Sequence, residues 1–220
     1  MRPPVRARPP ERGEVPLASG ERLHLRRARL DDAPALLTAY ASDPRATRCL
    51  SWEPRASASE VATWLAPSVD GWDARTAFRW VLADTADGDA LGTVVLTSTP
   101  RGWTVGYAVA VPQQGRGVAT AALRQVQGWV PASLGPRCRV SARTDPAHAA
   151  SITVLRRAGF RLAGREIATW VRPSRGPELR DALHFTWSPA DLGVLSPHPV
   201  ARPPRGDPAT PDAGTRRCPG

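Results

Sequence analysis

Residues 105–120, VGYAVAVPQQGRGVAT, constrain this chain more than any other stretch, because the backbone must change its habit twice within them. Trp103, Val105, Tyr107, Val109 and Val111 alternate onto one face of a strand, while Gly106, Ala108 and Ala110 leave the other face almost bare. Another chain or an extended ligand can approach such a backbone closely. Pro112 ends the ladder, and Gln113-Gln114-Gly115-Arg116-Gly117 turns into a helix whose apolar positions Val118, Ala122, Val126 and Trp129 keep nearly helical spacing. A glycine turn that opens a helix is a place for an anion. The first-turn amides have no intrahelical partner, and the helix dipole adds roughly 0.3–1 kcal/mol per favourable charge.

The kind of phosphate site narrows by exclusion. A Walker loop needs a lysine after its last glycine, and all thirty basic residues here are arginine. A dinucleotide fingerprint needs a third glycine where Thr120 stands, and the preceding strands read as an antiparallel meander rather than βαβ. Gln114-x-x-Gly117-x-Ala119 after a small-faced strand remains. It resembles the pyrophosphate-binding pattern of the GNAT acyl-CoA N-acyltransferases, and the longer QGRGVAT resembles their RimJ/RimL branch, which acetylates N-terminal amines of ribosomal proteins. Taken alone, the same residues also suit a loop that only joins strand to helix.

Two hundred and twenty residues suit one domain with tails. The net charge of +10 comes entirely from arginine; asparagine is absent and alanine and proline abound, as a GC-rich genome produces, so the charge alone does not select CoA phosphates, acidic substrates or RNA. Cys49, Cys138 and Cys218 have no metal-ligand rhythm and suggest reduced thiols in a cytoplasmic protein with no metal. Residues 1–20 and 189–220, rich in proline and arginine without a period, are expected to be disordered tails flanking a domain over 21–188. No apolar run spans a membrane and no secretory signal is evident.

Within the domain, Leu23–Arg29 reads as a strand and Asp31–Tyr40 as a helix. After a loop over Ser42–Pro54, the box Ser57-x-x-Glu60 starts a second helix. Phe78–Ala83 and Leu91–Thr99 form a hairpin around Asp87-Gly88, and the bare-faced strand is the next rung. Cys138–Arg143 is a short strand, Ala147–Ala158 a helix capped by Gly159, and strands near Arg161–Val171 and Arg180–Trp187 complete the order. That order matches the GNAT fold: an α/β (α+β) domain with a mixed sheet of about six or seven strands, about four helices, and central strands that splay to admit the pantetheine arm of CoA.

A second segment, Asp145-Pro-Ala-His148-Ala-Ala-Ser151 running on to Gly159-Phe160, resembles the family's other cofactor-contacting motif. The resemblance then assigns CoA contacts to Val109, Ala110, Val111, Gln114, Gly115, Arg116, Gly117, Val118, Ala119, Thr120, His148 and Ser151, with an oxyanion donor among the amides near Val109–Val111. Replacing Gly117 with a bulky residue, or Arg116 with glutamate, is expected to weaken CoA binding by well over roughly tenfold. Three departures stand out. His148 replaces the usual asparagine, Leu155 replaces the tyrosine that protonates the departing thiolate, and Thr104 or Val105 stands where relatives carry a glutamate. The resemblance to the RimL-like branch suggests Ser151 as the substitute for the acid, and Glu166 is chosen as the base from a set that also holds Asp84, Glu53, His148 and a water chain. The acceptor is expected between Ser42–Pro54, with Trp52 and Glu53, and Arg172–Glu178; His24 and His184 read as ordinary strand histidines.

The implied function is acetyl-CoA-dependent N-acetyltransfer by direct attack of a primary amine, from a small molecule or from a protein N-terminus such as that of a ribosomal protein, in a monomer or homodimer. The missing tyrosine and glutamate suggest an alternative, a non-catalytic acyl-CoA-binding or regulatory domain. A ribosome- or RNA-associated basic protein is a further alternative, although nucleic acid is not the expected partner.

Overall fold

The computed structural model describes residues 5–171, 173 and 176–194. Eight strands form one sheet: β1 (Arg12–Pro16), β2 (Arg22–Arg27), β3 (Ala77–Ala83), β4 (Ala90–Thr99), β5 (Gly102–Val109), β6 (Val140–Thr144), β7 (Arg161–Val171) and β8 (Leu179–Trp187). Their order across the sheet is β1-β2-β3-β4-β5-β6-β8-β7. Five α-helices accompany them: α1 (Ala33–Leu36), which runs into a π turn at Leu37–Ala41, α2 (Pro44–Thr47), α3 (Ala58–Asp73), α4 (Val118–Leu134) and α5 (Ala149–Arg157).

The architecture is the expected one, with eight strands instead of six or seven. The eighth is β1, which corrects the expectation of a disordered segment through residue 20. Its five residues pair antiparallel with β2 from Arg12↔Arg26 to Pro16↔Arg22, and Val15 is fully buried. A single inward side chain among arginines and prolines carries too little periodicity to register as a strand. At the other end, Pro189–Val194 form a 3₁₀ turn, and the rest of the tail expected there, residues 195–220, lies outside the described residues.

Sequence alternation sorts the core into two layers. On one face, Phe78, Trp80, Trp103 and Val105 pack with Val118, Ala122 and Val126 of α4. On the other, Val81 and Ala110 pack with Leu36, Tyr40, Val61 and Leu65 from α1, the π turn and α3. Ser57 caps α3 by accepting from the Glu60 amide at 3.3 Å, and Glu60 accepts from the Ala56 amide at 3.2 Å, so the box closes one residue further back than its usual form. Val61 and Leu65, both fully buried, each contribute about 1.5–3 kcal/mol to holding α3 against the sheet.

One defect in the ladder positions everything that follows. β5 and β6 are parallel neighbours, but they pair only at Trp103↔Val140 and Thr104↔Ser141. Beyond that point β5 stays with β4 as far as Val109, and β6 stays with β8 as far as Thr144. The sheet therefore splits between its two central strands, as the resemblance to the GNAT fold implied.

Candidate active site

Both glycines of the turn before α4 have a left-handed backbone, φ 80° at Gly115 and 82° at Gly117, which a residue with a Cβ adopts only at a cost. Gly117 is the N-cap of α4, and no side chain caps the helix. Among the described residues, the amides of Gly115, Arg116, Gly117, Val118, Ala119 and Thr120 donate to no protein acceptor. Six unpaired donors in a row, with open space where the glycine side chains would be, form an anion cradle.

This cradle opens into a cavity of about 380 Å³. Of the residues assigned to CoA by the sequence, Val109, Gln114, Gly115, Gly117, Val118, Ala119, Thr120, His148 and Ser151 line it. Ala110, Val111 and Arg116 do not. Ala110 is buried under the helical layer, and its amide is held by the Leu91 carbonyl at 2.8 Å. The Arg116 guanidinium turns away to Glu21 at 2.5 Å and also bonds Gln113, and its hydrogen bond, with a second from Ser19, holds the Glu21 carboxylate below the ordinary carboxylate range. The cationic lining comes instead from Arg45 and Arg48, around α2, and from Arg157 at the end of α5. None of the three follows from the motif, since they reach the cavity only through the fold.

A second cavity, of about 390 Å³, lies on the side of the sheet covered by α3. Thr93, Val95 and Thr97 of β4 and Thr104, Gly106 and Ala108 of β5 form its sheet wall, and Trp52, Trp64, Arg79, Arg143 and Trp170 surround it. Trp52 is where the sequence put it, 5.5 Å from Trp64 between ring centroids; Glu53 is exposed and lines neither cavity. Arg172, Ser174 and Arg175, from the other loop expected here, lie outside the described residues.

The two cavities meet at the split in the sheet and share Tyr107, Ala108, His148 and Ser151. There the Tyr107 hydroxyl bonds Ser151 Oγ at 2.8 Å and donates to the Ser151 carbonyl at 3.3 Å. Burial pushes the Tyr107 phenol up to about 12, with the Ser151 bond opposing the shift. Leu155, where a tyrosine was looked for, is instead packed in the core at 1% exposure. The hydroxyl that reaches the junction thus comes from the facing strand, a residue that sequence reading had counted only as one of the core-facing positions of β5.

Glu166, expected as the base, lies outside both linings. Its carboxylate is 2.5 Å from Arg143 Nη2 and accepts from the Thr169 hydroxyl at 3.2 Å. Asp84 sits in the β3–β4 turn, bonded to the Thr85 amide, and is equally remote. Neither cavity has an aspartate or glutamate among its described lining residues, so of the side chains considered as bases only His148 is at the junction. Thr104 uses its hydroxyl to donate to the Ser141 carbonyl at 3.2 Å. Among the described residues no group of three or more His, Cys, Asp or Glu could hold a metal, and no helix is long and apolar enough to cross a membrane.

The family model described as an acetyltransferase (GNAT) domain matches residues 22–161. Similar solved structures include Mycobacterium smegmatis RimJ in complex with CoA-disulfide, at TM-score 0.71 and 21% identity over 84% of this chain and 90% of that one. The ribosomal-protein-S5-alanine acetyltransferase of Vibrio fischeri aligns at TM-score 0.64 and 21% identity, covering 77% and 94%. RimL, a ribosomal L7/L12 α-N-protein acetyltransferase in complex with coenzyme A, aligns at 0.67 and 18%, covering 80% and 98%. Such identities establish a shared fold. A search of curated protein sequences finds no significant match.

Proposed function

This chain belongs to the GNAT acetyltransferase family, and we propose that it transfers an acetyl group from acetyl-CoA to a primary amine at the junction of the two cavities. The observation that carries this reading is the coincidence of three features at one place. Six unpaired amides lie beside the parted ends of β5 and β6, and a hydroxyl pair spans the point where the cavities join. A loop that only joined strand to helix would need none of the three.

The chain's own groups fit acetyl-CoA. The amides of residues 115–120 suit its diphosphate, and Arg48 and Arg157 suit the remaining phosphate charge, with Arg45 beside them held by Asp43. The Trp103 amide donates across to the Arg139 carbonyl at 3.0 Å, so strand alternation turns the amides of Tyr107 and Val109, beyond the last β5–β6 pair, toward the gap as well. They suit the amide-bearing arm as a temporary strand neighbour. Gln114 Nε2 donates to the Val109 carbonyl at 3.0 Å and steadies the lip of the gap. When bound, acetyl-CoA supplies the activated acyl carbonyl.

What remains for the protein is to place the amine, accept its proton, support the carbonyl oxygen and receive the thiolate. The Val109 amide is the oxyanion donor, because the neighbouring Ala110 amide is already used by Leu91. His148 takes the ammonium proton. Tyr107 and Ser151 stand where the thiolate emerges, and either hydroxyl supports it by turning its proton from its present partner to the sulfur. Burial favours the neutral phenol, so Tyr107 supports the thiolate by a hydrogen bond rather than by giving up its proton. Glu166 acts through Arg143, which it fixes against the acceptor cavity, and is a positioning residue. Acetyl-CoA binding by calorimetry, together with thiol release across a panel of amines that includes peptides with different N-terminal residues, tests the reading. Acetyl-CoA binding without release for any amine would leave a cofactor-binding domain.

A further inference from the structure

The acceptor cavity contains a feature that amine transfer does not require. Arg79, in the middle of β3, is only 8% exposed. Among the described residues its one hydrogen bond runs from Nε to Ser68 Oγ at 2.7 Å, and its guanidinium lies 4.0 Å over the Trp64 ring. Both terminal nitrogens are left without a hydrogen-bond acceptor, and the side chain lines the cavity. The lone tyrosine near it, Tyr40, has its hydroxyl on Thr93 at 2.9 Å and is kept neutral by burial.

Arginines buried to this extent normally have a carboxylate partner, because burial without one is costly. Here the described lining offers none, and the second arginine of the cavity, Arg143, is already matched by Glu166. Burial lowers the Arg79 pKa to about 10, which still leaves the group charged at neutral pH. A second polar group in the same lining, the Thr144 hydroxyl, is also buried with no partner.

The sheet register shows where Arg79 stands relative to the transfer point. Arg79 is opposite Val95, and Val95 is opposite Gly106, so the three form one row across β3, β4 and β5 that ends at the split. Two interstrand spacings of about 4.8 Å make that row about 10 Å long. Val95 and Gly106, the residues between, line the same cavity as Arg79, His148 and Ser151.

We infer that the acceptor is an amine carrying its own anion, a carboxylate within about 10 Å of the nitrogen, and that Arg79 binds this anion. The inference rests on the acetyltransfer reading for the identity of the site but predicts a binding property that can be measured without turnover. The anion can belong to an acidic side chain near a peptide N-terminus or to a small amino acid.

The test uses the full chain saturated with CoA. Calorimetry compares matched peptides Ser-Glu-Glu, Ser-Gln-Gln and Ser-Arg-Arg, amidated at the C-terminus, and in a second arm serine against serinamide. At least one arm is expected to show the anionic member binding at least about tenfold tighter than the neutral one, the low end for a charged hydrogen bond. Arg79→Met should bring that ratio close to one, and Arg79→Lys should restore part of it; retained CoA binding shows that each variant is folded. Peptide preference alone identifies a protein terminus as the source of the anion, and serine preference alone a small molecule. Equal or tighter binding of the neutral members in both arms overturns the inference, as does a preference that survives Arg79→Met. Thiol release under the same conditions separates the two readings, since its absence with every amine removes acetyltransfer while the binding ratio still decides the role of Arg79.

Discussion

The two cavities are nearly equal in size and share a wall, yet they are built in opposite ways. The one beside α4 is made mainly of backbone: unpaired amides, two left-handed glycines, and the open edge of a strand. The one beneath α3 is made of side chains, Trp52, Trp64, Arg79, Arg143 and Trp170, drawn from five separate stretches of the chain. A backbone site binds whatever presents phosphates and amides in an extended form, which suits a cosubstrate common to a whole family. A side-chain site can be altered one residue at a time, which suits the choice of acceptor in the proposed reaction.

If that division holds, damage to the two halves should separate cleanly. The largest effect is expected from Gly117→Val, which forces a β-branched residue into left-handed backbone and crowds the cradle. Acetyl-CoA affinity should fall by roughly a hundredfold in calorimetry, the sum of strain and lost amide contacts, while the fold persists. Tyr107→Phe addresses the shared wall. It should lower kcat by about tenfold to thirtyfold, the worth of one hydrogen bond to a developing thiolate, and leave acetyl-CoA affinity within about threefold. An equal loss in binding would mean that the hydroxyl shapes the gap instead of serving the reaction.

Arg79→Met sharpens the comparison from the other half, because a side-chain site carries a stability cost that a backbone site does not. With its folded pKa lowered to about 10 against 12.5 unfolded, charged Arg79 disfavours the native state at neutral pH. Removing it should raise stability by about 1–2 kcal/mol, part of the roughly 3 kcal/mol implied by the shift being offset by the lost Ser68 and Trp64 contacts. A guanidinium keeps its proton across the accessible pH range, so the variant's advantage should persist from about pH 7 to pH 9; urea titrations at the two pH values measure it. The smallest effect is expected from Arg116→Ala. Although this arginine sits inside the phosphate motif, Glu21 holds it off the cavity, and acetyl-CoA affinity should change by less than about threefold.

The same division explains what could be read from the sequence. Local chemistry was visible: the bare face of β5, the glycine turn and the cap at Gly159 all lie within short spans, while the split sheet came only through the family resemblance that the order of elements carries. Trp52 does line the second cavity, in the loop where the family resemblance put an acceptor pocket. Arg79 was invisible because it sits mid-strand in FRWVLA, flanked by core residues, and nothing in that string says that Ser68 and Trp64 will cover it while no carboxylate does. Tyr107 was visible as a residue but not as a partner of Ser151, 44 positions away. Glu166 and Arg116 failed for a related reason. Each was credited with a role from its place in the chain, and each is neutralised by an opposite charge that only the fold brings near. β1 escaped because Val15 alone marks its inward face.

The junction is where both halves must work together, and one experiment addresses it directly: thiol release from acetyl-CoA by the wild-type chain, measured with and without serine-led peptides, in parallel with Tyr107→Phe. Release that depends on the peptide, and that drops at least about tenfold in the variant at unchanged acetyl-CoA affinity, is the expected result. Tight acetyl-CoA binding with no peptide-dependent thiol, or release indifferent to Tyr107, would contradict a transfer centre at the parted strands.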